Sequence, residues 1–170
     1  MTSRGRSGPS RGQPPFGDRP GQGNAPSAQP QLPPDYLRGG YFDQNGYLRV
    51  EVVTHWAKSV AKVLIGTNPK NPRMKSAQLR NFYEKAKVIQ RRLKAEEPFD
   101  SLRAEVASLE RDAAYAVGRE NSPAPPSFKE WMDRNLELAL RDAKNFLAFV
   151  EHFESVVAFH RYLEWQGSHR

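Results

Sequence analysis

The chain has 170 residues, 14 prolines, 12 glycines, no cysteine and a formal net charge of +7, room for one ordinary domain and a tail. The lack of cysteine excludes a disulfide scaffold, a thiolate zinc site, an iron–sulfur cluster and a cysteine nucleophile. No run approaches the ~18 apolar residues of a membrane span and no apolar stretch follows the basic N-terminus, so a soluble protein of the cytoplasm is expected.

Residues 1–34 contain eight prolines and six glycines, and their only large apolar side chains are Met1, Phe16 and Leu32. Such a stretch buries too little to offset backbone entropy of about 1–2 kcal/mol per residue. A disordered basic tail over residues 1–40 is predicted. Arg4-Gly5-Arg6 and Arg11-Gly12 resemble arginine–glycine tails that touch nucleic acid weakly, although a solvated tail with incidental charge is the favoured reading.

Asp43-Gln44-Asn45-Gly46 is a turn signal. A first helix over residues 49–64 follows from Val53, Ala57, Val60 and Leu64, with Gly66 as its stop and Pro69 and Pro72 in the loop beyond. Ser76 reads as the N-cap of a second helix to about residue 96, with Leu79, Phe82, Ala86, Ile89 and Leu93 facing the core. A third helix spans about residues 99–117 on Phe99, Leu102, Val106, Leu109, Ala113 and Ala116, and Gly118 ends it. Ser127 reads as the cap of a fourth, through Trp131, Met132, Leu136, Ala139 and Leu140. The last uses Phe146, Phe149, Phe153, Val156, His160 and Leu163, with Asp142 as its candidate cap. Leu147, Val150 and Val157 widen its apolar face, which predicts a central position. No strand-like alternation competes. The expected fold is all-α: a compact bundle of about five helices over residues 41–167.

Catalytic candidates are few. His152 and His160 lie too far apart along one helix to share a metal, and no paired-histidine zinc motif, phosphate-cradling glycine loop or serine-hydrolase elbow occurs. No cofactor or metal is expected, and His160, inside an apolar stripe, reads as a packed histidine with one hydrogen bond. Arg49 and His55 match the Arg-x4–6-His spacing of the small helical HEPN RNases, where a general base works beside a cation at the scissile phosphate. Against this, Arg49 starts its helix, and Val50 follows it where those enzymes carry a polar residue.

The second helix is the stronger lead. Residues 73–94 hold eight basic side chains against Glu84 alone, whereas residues 95–170 hold nine against fourteen acids. At about 100° per residue, Arg80, Lys87, Arg91 and Lys94 form a stripe beside the core-facing arc. Arg73 and Lys75 extend it toward the helix N-terminus, where free amides also favour phosphate. With one acid in the window, neighbouring cations repel one another unless an anion docks. The pattern indicates a phosphate backbone and carries no base-reading motif.

Several segments together are similar to one family. Tyr41-Phe42-Asp43 with Leu48-Arg49, then Met74-Lys75-Ser76-Ala77-Gln78-Leu79-Arg80-Asn81-Phe82-Tyr83, then Ala114-Tyr115-Ala116-Val117-Gly118-Arg119, then Phe149 through Tyr162 resemble the small subunit of the type III-A (Csm) CRISPR effector complex. The likeness covers about residues 41–165 in order. Lys75 stands where that family usually has threonine.

The resemblance implies a non-catalytic helical RNA-binding subunit that stacks in several copies beside the subunits holding the guide RNA. Its partners would be guide and target RNA, the backbone subunits, the large Palm-domain subunit and further copies of itself. The family's basic motif falls on Lys75, Gln78, Arg80 and Asn81, and its Ala-Tyr-Ala motif on Arg119. Arg73, Lys87 and Arg91 join them from the charge pattern. Arg119 could instead bond the last carbonyls of its own helix. Val88, on the side of the second helix away from the core, and the acidic C-terminal half are candidate contacts between copies.

Overall fold

The computed structural model describes residues 1–2, 29–121 and 124–169. The disorder expected of the tail before residue 29, and its Arg-Gly fragments, lie outside the described residues.

The fold is all-helical: α1 (Val50–Val53), α2 (His55–Ile65), α3 (Ser76–Lys94), α4 (Phe99–Gly118), α5 (Pro126–Ala139) and α6 (Ala143–Ser168). The first expected helix is broken. Thr54, with φ −120° and ψ −106°, separates α1 from α2, and its hydroxyl donates to the Val50 carbonyl at 2.8 Å. Such back-bonding by a β-branched hydroxyl residue competes with the helical ladder. The remaining helices fall as the apolar periodicity predicts, and among the described residues the only extended pairing is one Phe42–Leu48 bridge. It closes the Asp43–Gly46 turn, where Asp43 Oδ1 accepts from the Asn45 and Tyr47 amides at 2.8 and 3.0 Å. Gly46 holds a φ of 79°, a conformation that glycine adopts without strain.

Two of three proposed caps are corrected. Asp142 does cap α6, accepting from the Asn145 amide at 2.8 Å. Ser76, however, is the first residue inside α3; the cap position is Lys75, whose amide donates to Gln78 Oε1 at 3.1 Å. The Ser76 hydroxyl instead donates to Glu164 and accepts from His160 Nδ1 at 3.0 Å, clasping α3 to α6. At α5 the chain starts on Pro125 and Pro126, whose ring fixes a helical φ without sacrificing a needed donor. The Ser127 hydroxyl is buried and finds no partner among the described residues.

α6 lies at the centre, packed on α1, α2, α3 and α5, while α4 closes the bundle against α3 and α5. Phe149 and Phe153 on α6 meet Trp131 on α5, with the Trp131–Phe153 edge contact at 4.9 Å, while Phe146 packs on Phe149 and Phe128 on Trp131. Such edge and tilted pairs add about 0.5–1.5 kcal/mol each beyond burial. The loop before α3 lies so close on the end of α6 that a Cβ at Gly167 would stand 2.4 Å from Pro69 Cβ.

The core also begins ahead of the expected boundary at residue 41. Tyr36 is 2% exposed, and Leu32 and Leu37 pack partly buried on the core. The Tyr36 hydroxyl accepts from Trp131 Nε1 at 2.8 Å and Asn135 Nδ2 at 2.9 Å, and donates to His152 Nε2 at 2.9 Å. The other nitrogen, His152 Nδ1, faces the Val52 carbonyl at 2.5 Å. A carbonyl only accepts, so Nδ1 carries the proton and the imidazole is neutral. Tyr41 joins through its hydroxyl, which donates to Asn135 Oδ1 at 2.8 Å. Arg134 clamps the outside of Tyr36, donating to its carbonyl at 2.8 Å and lying 4.9 Å over its ring.

Burial depresses the His152 pKa from 6.5 to about 4, against the opposing pull of the Val52 carbonyl. The unfolded chain therefore takes up this proton first as pH falls, and stability is lost between about pH 6.5 and 4. Thermal melts over that range should show a loss of about 3 kcal/mol assignable to this site, largely absent from His152→Phe. Tyr36→Phe should cost about 3 kcal/mol at neutral pH, because it orphans the Trp131, Asn135 and His152 groups together. A neutral Tyr36→Phe would show the network to be dispensable.

Candidate nucleic-acid interface

α3 carries its basic side chains on two flanks, one toward α4 and one toward α6. Acidic residues of α4 and of the turn before it neutralise the first in part. Lys85 Nζ reaches Asp112 at 2.6 Å, and Arg92 reaches Glu97 at 2.6 Å and Glu105 at 2.5 Å. Hydrogen bonding from Lys85 holds the Asp112 carboxyl below its ordinary range, and Arg92 does the same for Glu97. Both acids stay ionised. The expectation that Glu84 alone opposes the basic window is thus corrected: Asp112 and Glu105 come from α4, and Glu97 from the turn that precedes it.

A groove of about 590 Å³ remains between α3 and α4. Gln78, Asn81, Tyr115 and Arg119 line it with the paired Lys85, Asp112 and Arg111, above a floor that includes Phe82 and Ala116; Arg111 stands 3.2 Å from Asp112. Three of the expected site residues therefore meet in one place: Gln78 and Asn81 from α3, and Arg119 just past the end of α4. The Gln78 carbonyl oxygen is engaged by the Lys75 amide. The Arg119 backbone amide closes α4 on the Tyr115 carbonyl at 3.2 Å. Its guanidinium makes no hydrogen bond to a helix carbonyl among the described residues, so the capping alternative finds no support.

Sequence reasoning passed over four polar groove residues: the paired Lys85 and Asp112, and Arg111 and Tyr115. Tyr115 is 70% exposed, and Arg111 stands one turn before it. The available signal was register: on the Leu109, Ala113, Ala116 stripe, Tyr115 falls outside the buried arc, where an aromatic ring is unexpected.

The other flank holds Arg80, which lines a second groove with Tyr83, Val157 and Arg161, and Lys87, whose ammonium lies 5.8 Å over the Tyr83 ring. Arg80 is exposed and pairs with Glu84 at 3.6 Å, a contact of little energetic weight between such exposed groups. By helical register Arg91 and Lys94 follow Lys87 on this side, and both are exposed. Lys75 sits at the α3 start near Trp165 of α6. Arg73 points elsewhere: it donates to Gln29 Oε1 at 2.9 Å, packs on Gly66 and faces the α2 side. The expected residues are therefore spread over three surfaces and form no single patch.

Arg49 has a structural task. Its guanidinium donates to the Arg38 carbonyl at 2.6 Å, lies 4.7 Å over the Trp56 ring and stands 3.9 Å from Glu51. His55 is exposed at the start of α2, past the Thr54 break. His160 is buried with Ser76 as its hydrogen-bonding partner, and burial lowers its pKa. Among the described residues no group of three histidine, acidic or cysteine side chains could hold a metal, and no helix is long and apolar enough to cross a membrane.

The helical order defines a small all-α protein. The family model for Csm2 Type III-A matches residues 50–166, and the chain belongs to that family, small subunits of the type III-A CRISPR complex. No curated protein and no solved structure matches it.

Phe82 and Arg80 separate packing from surface on one helix. Phe82 is 9% exposed and its ring packs tilted against Phe128, centroids 4.7 Å apart, so Phe82→Ala should cost about 3–5 kcal/mol in denaturant melts. Arg80→Ala should stay within about 0.5 kcal/mol of the parent. Equal losses would show that the α3 surface carries stability.

Proposed function

We propose that this chain is a non-catalytic RNA-binding subunit that holds the paired guide and target RNA of the type III-A complex through phosphate contacts. The observation that carries the reading is the convergence of Gln78, Asn81, Arg111 and Arg119 on one open groove between α3 and α4. Amide and guanidinium donors on a surface without a base-reading motif suit a phosphate backbone, which is alike in every sequence. That is the requirement where base pairing itself supplies specificity.

Arg80, Lys87 and Arg91 offer a second basic track on the α6 flank of α3, and Lys75 stands at the start of α3 beside Trp165. Arg73, turned toward Gln29, is the weakest member of the set. Family membership supports neighbours of three kinds: backbone subunits, the large Palm-domain subunit and further copies in a filament, all in the cytoplasm. Val88, exposed on the outer side of α3, and the acidic C-terminal half suit contact between copies.

RNA binding should depend steeply on salt, with log K falling linearly in log salt by about 0.7 for each phosphate contacted. Arg119→Ala should weaken binding and flatten that slope by about one such increment, with melting unchanged. A flat salt profile, or strict preference for one sequence, would overturn the reading. The alternative, a metal-independent RNase using Arg49 and His55, requires cleavage of labelled RNA that disappears in His55→Ala. Intact RNA on the gel is the expected result.

A further inference from the structure

The last turns of α6 expose an aromatic ladder that the bundle does not use. Tyr162 and Trp165 are 52% and 50% exposed. Their rings run nearly parallel, 22° apart with centroids 6.1 Å from each other, and His169 continues the series 4.8 Å beyond Trp165. Steps of three and four residues place all three on one helix face. Gln166 donates to the Tyr162 hydroxyl at 2.9 Å, and His169 Nδ1 meets the Trp165 carbonyl at 2.9 Å, so the outer rings are held in place. The other two tryptophans, Trp56 and Trp131, are buried in the core.

Charge decides what such a face fits. Lys70 and Lys75 from the loop before α3, and Arg161 from α6, border the same hollow as Trp165 and His169. The one acid there, Glu164, is engaged by the Ser76 hydroxyl and by Arg161 at 3.5 Å. Flat rings bordered by cations match a polymer that offers flat bases and phosphates together. An apolar protein helix would leave the cations unmatched, and a free phosphate would leave the rings bare. This hollow and the α3/α4 groove share no lining residue.

We propose that Tyr162, Trp165 and His169 form a stacking platform for unpaired bases of single-stranded RNA, with Lys70, Lys75 and Arg161 bordering its Trp165 and His169 end, separate from the α3/α4 groove. The inference rests on the RNA-binding reading for its polymer, and adds a site that distinguishes unpaired from paired nucleotides.

Trp165 reports on its own site, being the one exposed tryptophan. In the full-length protein, a short oligoadenylate should quench its emission and shield it from acrylamide, whereas an adenine–uracil duplex of equal length should do neither. Trp165→Ala should weaken single-strand affinity about tenfold and leave duplex affinity unchanged; Trp165→Phe should restore most of the loss. Tyr162→Ala should show the same selectivity, which covers the case in which Trp165→Ala fails to fold. Arg119→Ala should weaken both ligands. Single-strand binding without quenching, or equal losses on both ligands in the Trp165 and Tyr162 variants, would overturn the platform and leave the groove reading standing. Failure of the parent to bind either RNA would overturn both. Shielding that rises with protein concentration alone would identify a second copy as the occupant and overturn the platform.

Discussion

The Tyr36 hydroxyl sits where four parts of the chain meet. It takes protons from Trp131 and Asn135 of α5 and gives its own to His152 of α6, whose far nitrogen reaches the Val52 carbonyl of α1. Every polar atom in that chain of contacts is buried, and each is satisfied by the next. A half-satisfied network in a low-dielectric interior would be worse than an apolar one, so the arrangement tolerates only one relative placement of the N-terminal segment, α1, α5 and α6. Register of the central helix follows from it, and with that register the clasp of Ser76 on His160 and Glu164 falls into line, fixing where α3 begins.

Where α3 begins determines which of its cations are free. Lys85 and Arg92 meet acids of α4 and the nearby Glu97 at hydrogen-bonding distance, Arg111 stands 3.2 Å from Asp112, and what remains open is Lys75, Lys87, Arg91 and Lys94 on α3, with Arg119 across the groove. Two helices of opposite average charge thus pack on one flank by pairing, while the other flank and the groove rim keep an excess of positive charge. The bundle's own cohesion and its surplus of positive charge draw on different residues of the same helix.

Much of the fold was legible because amphipathic helices write their period directly into the sequence. The stripes over α3, α4 and α6 needed no tertiary information. What escaped did so for local or long-range reasons. Thr54 interrupts the first helix through a hydroxyl bond to Val50, a competition that the apolar spacing does not record. Tyr36 stands in a segment rich in proline and glycine, and its burial depends on partners 95 to 116 positions away. Serine is a favoured cap, yet Ser76 found a better partner on α6. For the candidate site, the motif residues Gln78, Asn81 and Arg119 could be named from sequence. Their meeting across the groove, and the neutralisation of Lys85 and Arg92, could not, since both require knowing that α4 lies against α3. Tyr115, Tyr162 and Trp165 are visible only as rings that fall outside an apolar stripe.

Gly167 gives the end of α6 a property of its own. With hydrogen in place of a side chain, it lets Pro69 rest directly on the helix, where even a methyl group would overlap Pro69 carbon atoms at 2.4 and 2.6 Å. The backbone of that loop, rather than a flexible side-chain tip, is the obstacle, so accommodation means moving the loop. Lys70 and the α3 cap residue Lys75 ride on it, and Trp165 stays with the helix. The spacing between the cations and the aromatic ladder is therefore set by the smallest residue of the chain: an empty volume acts as the spacer, and enlarging it with even one carbon would pull two chemically distinct halves of that surface apart without touching either.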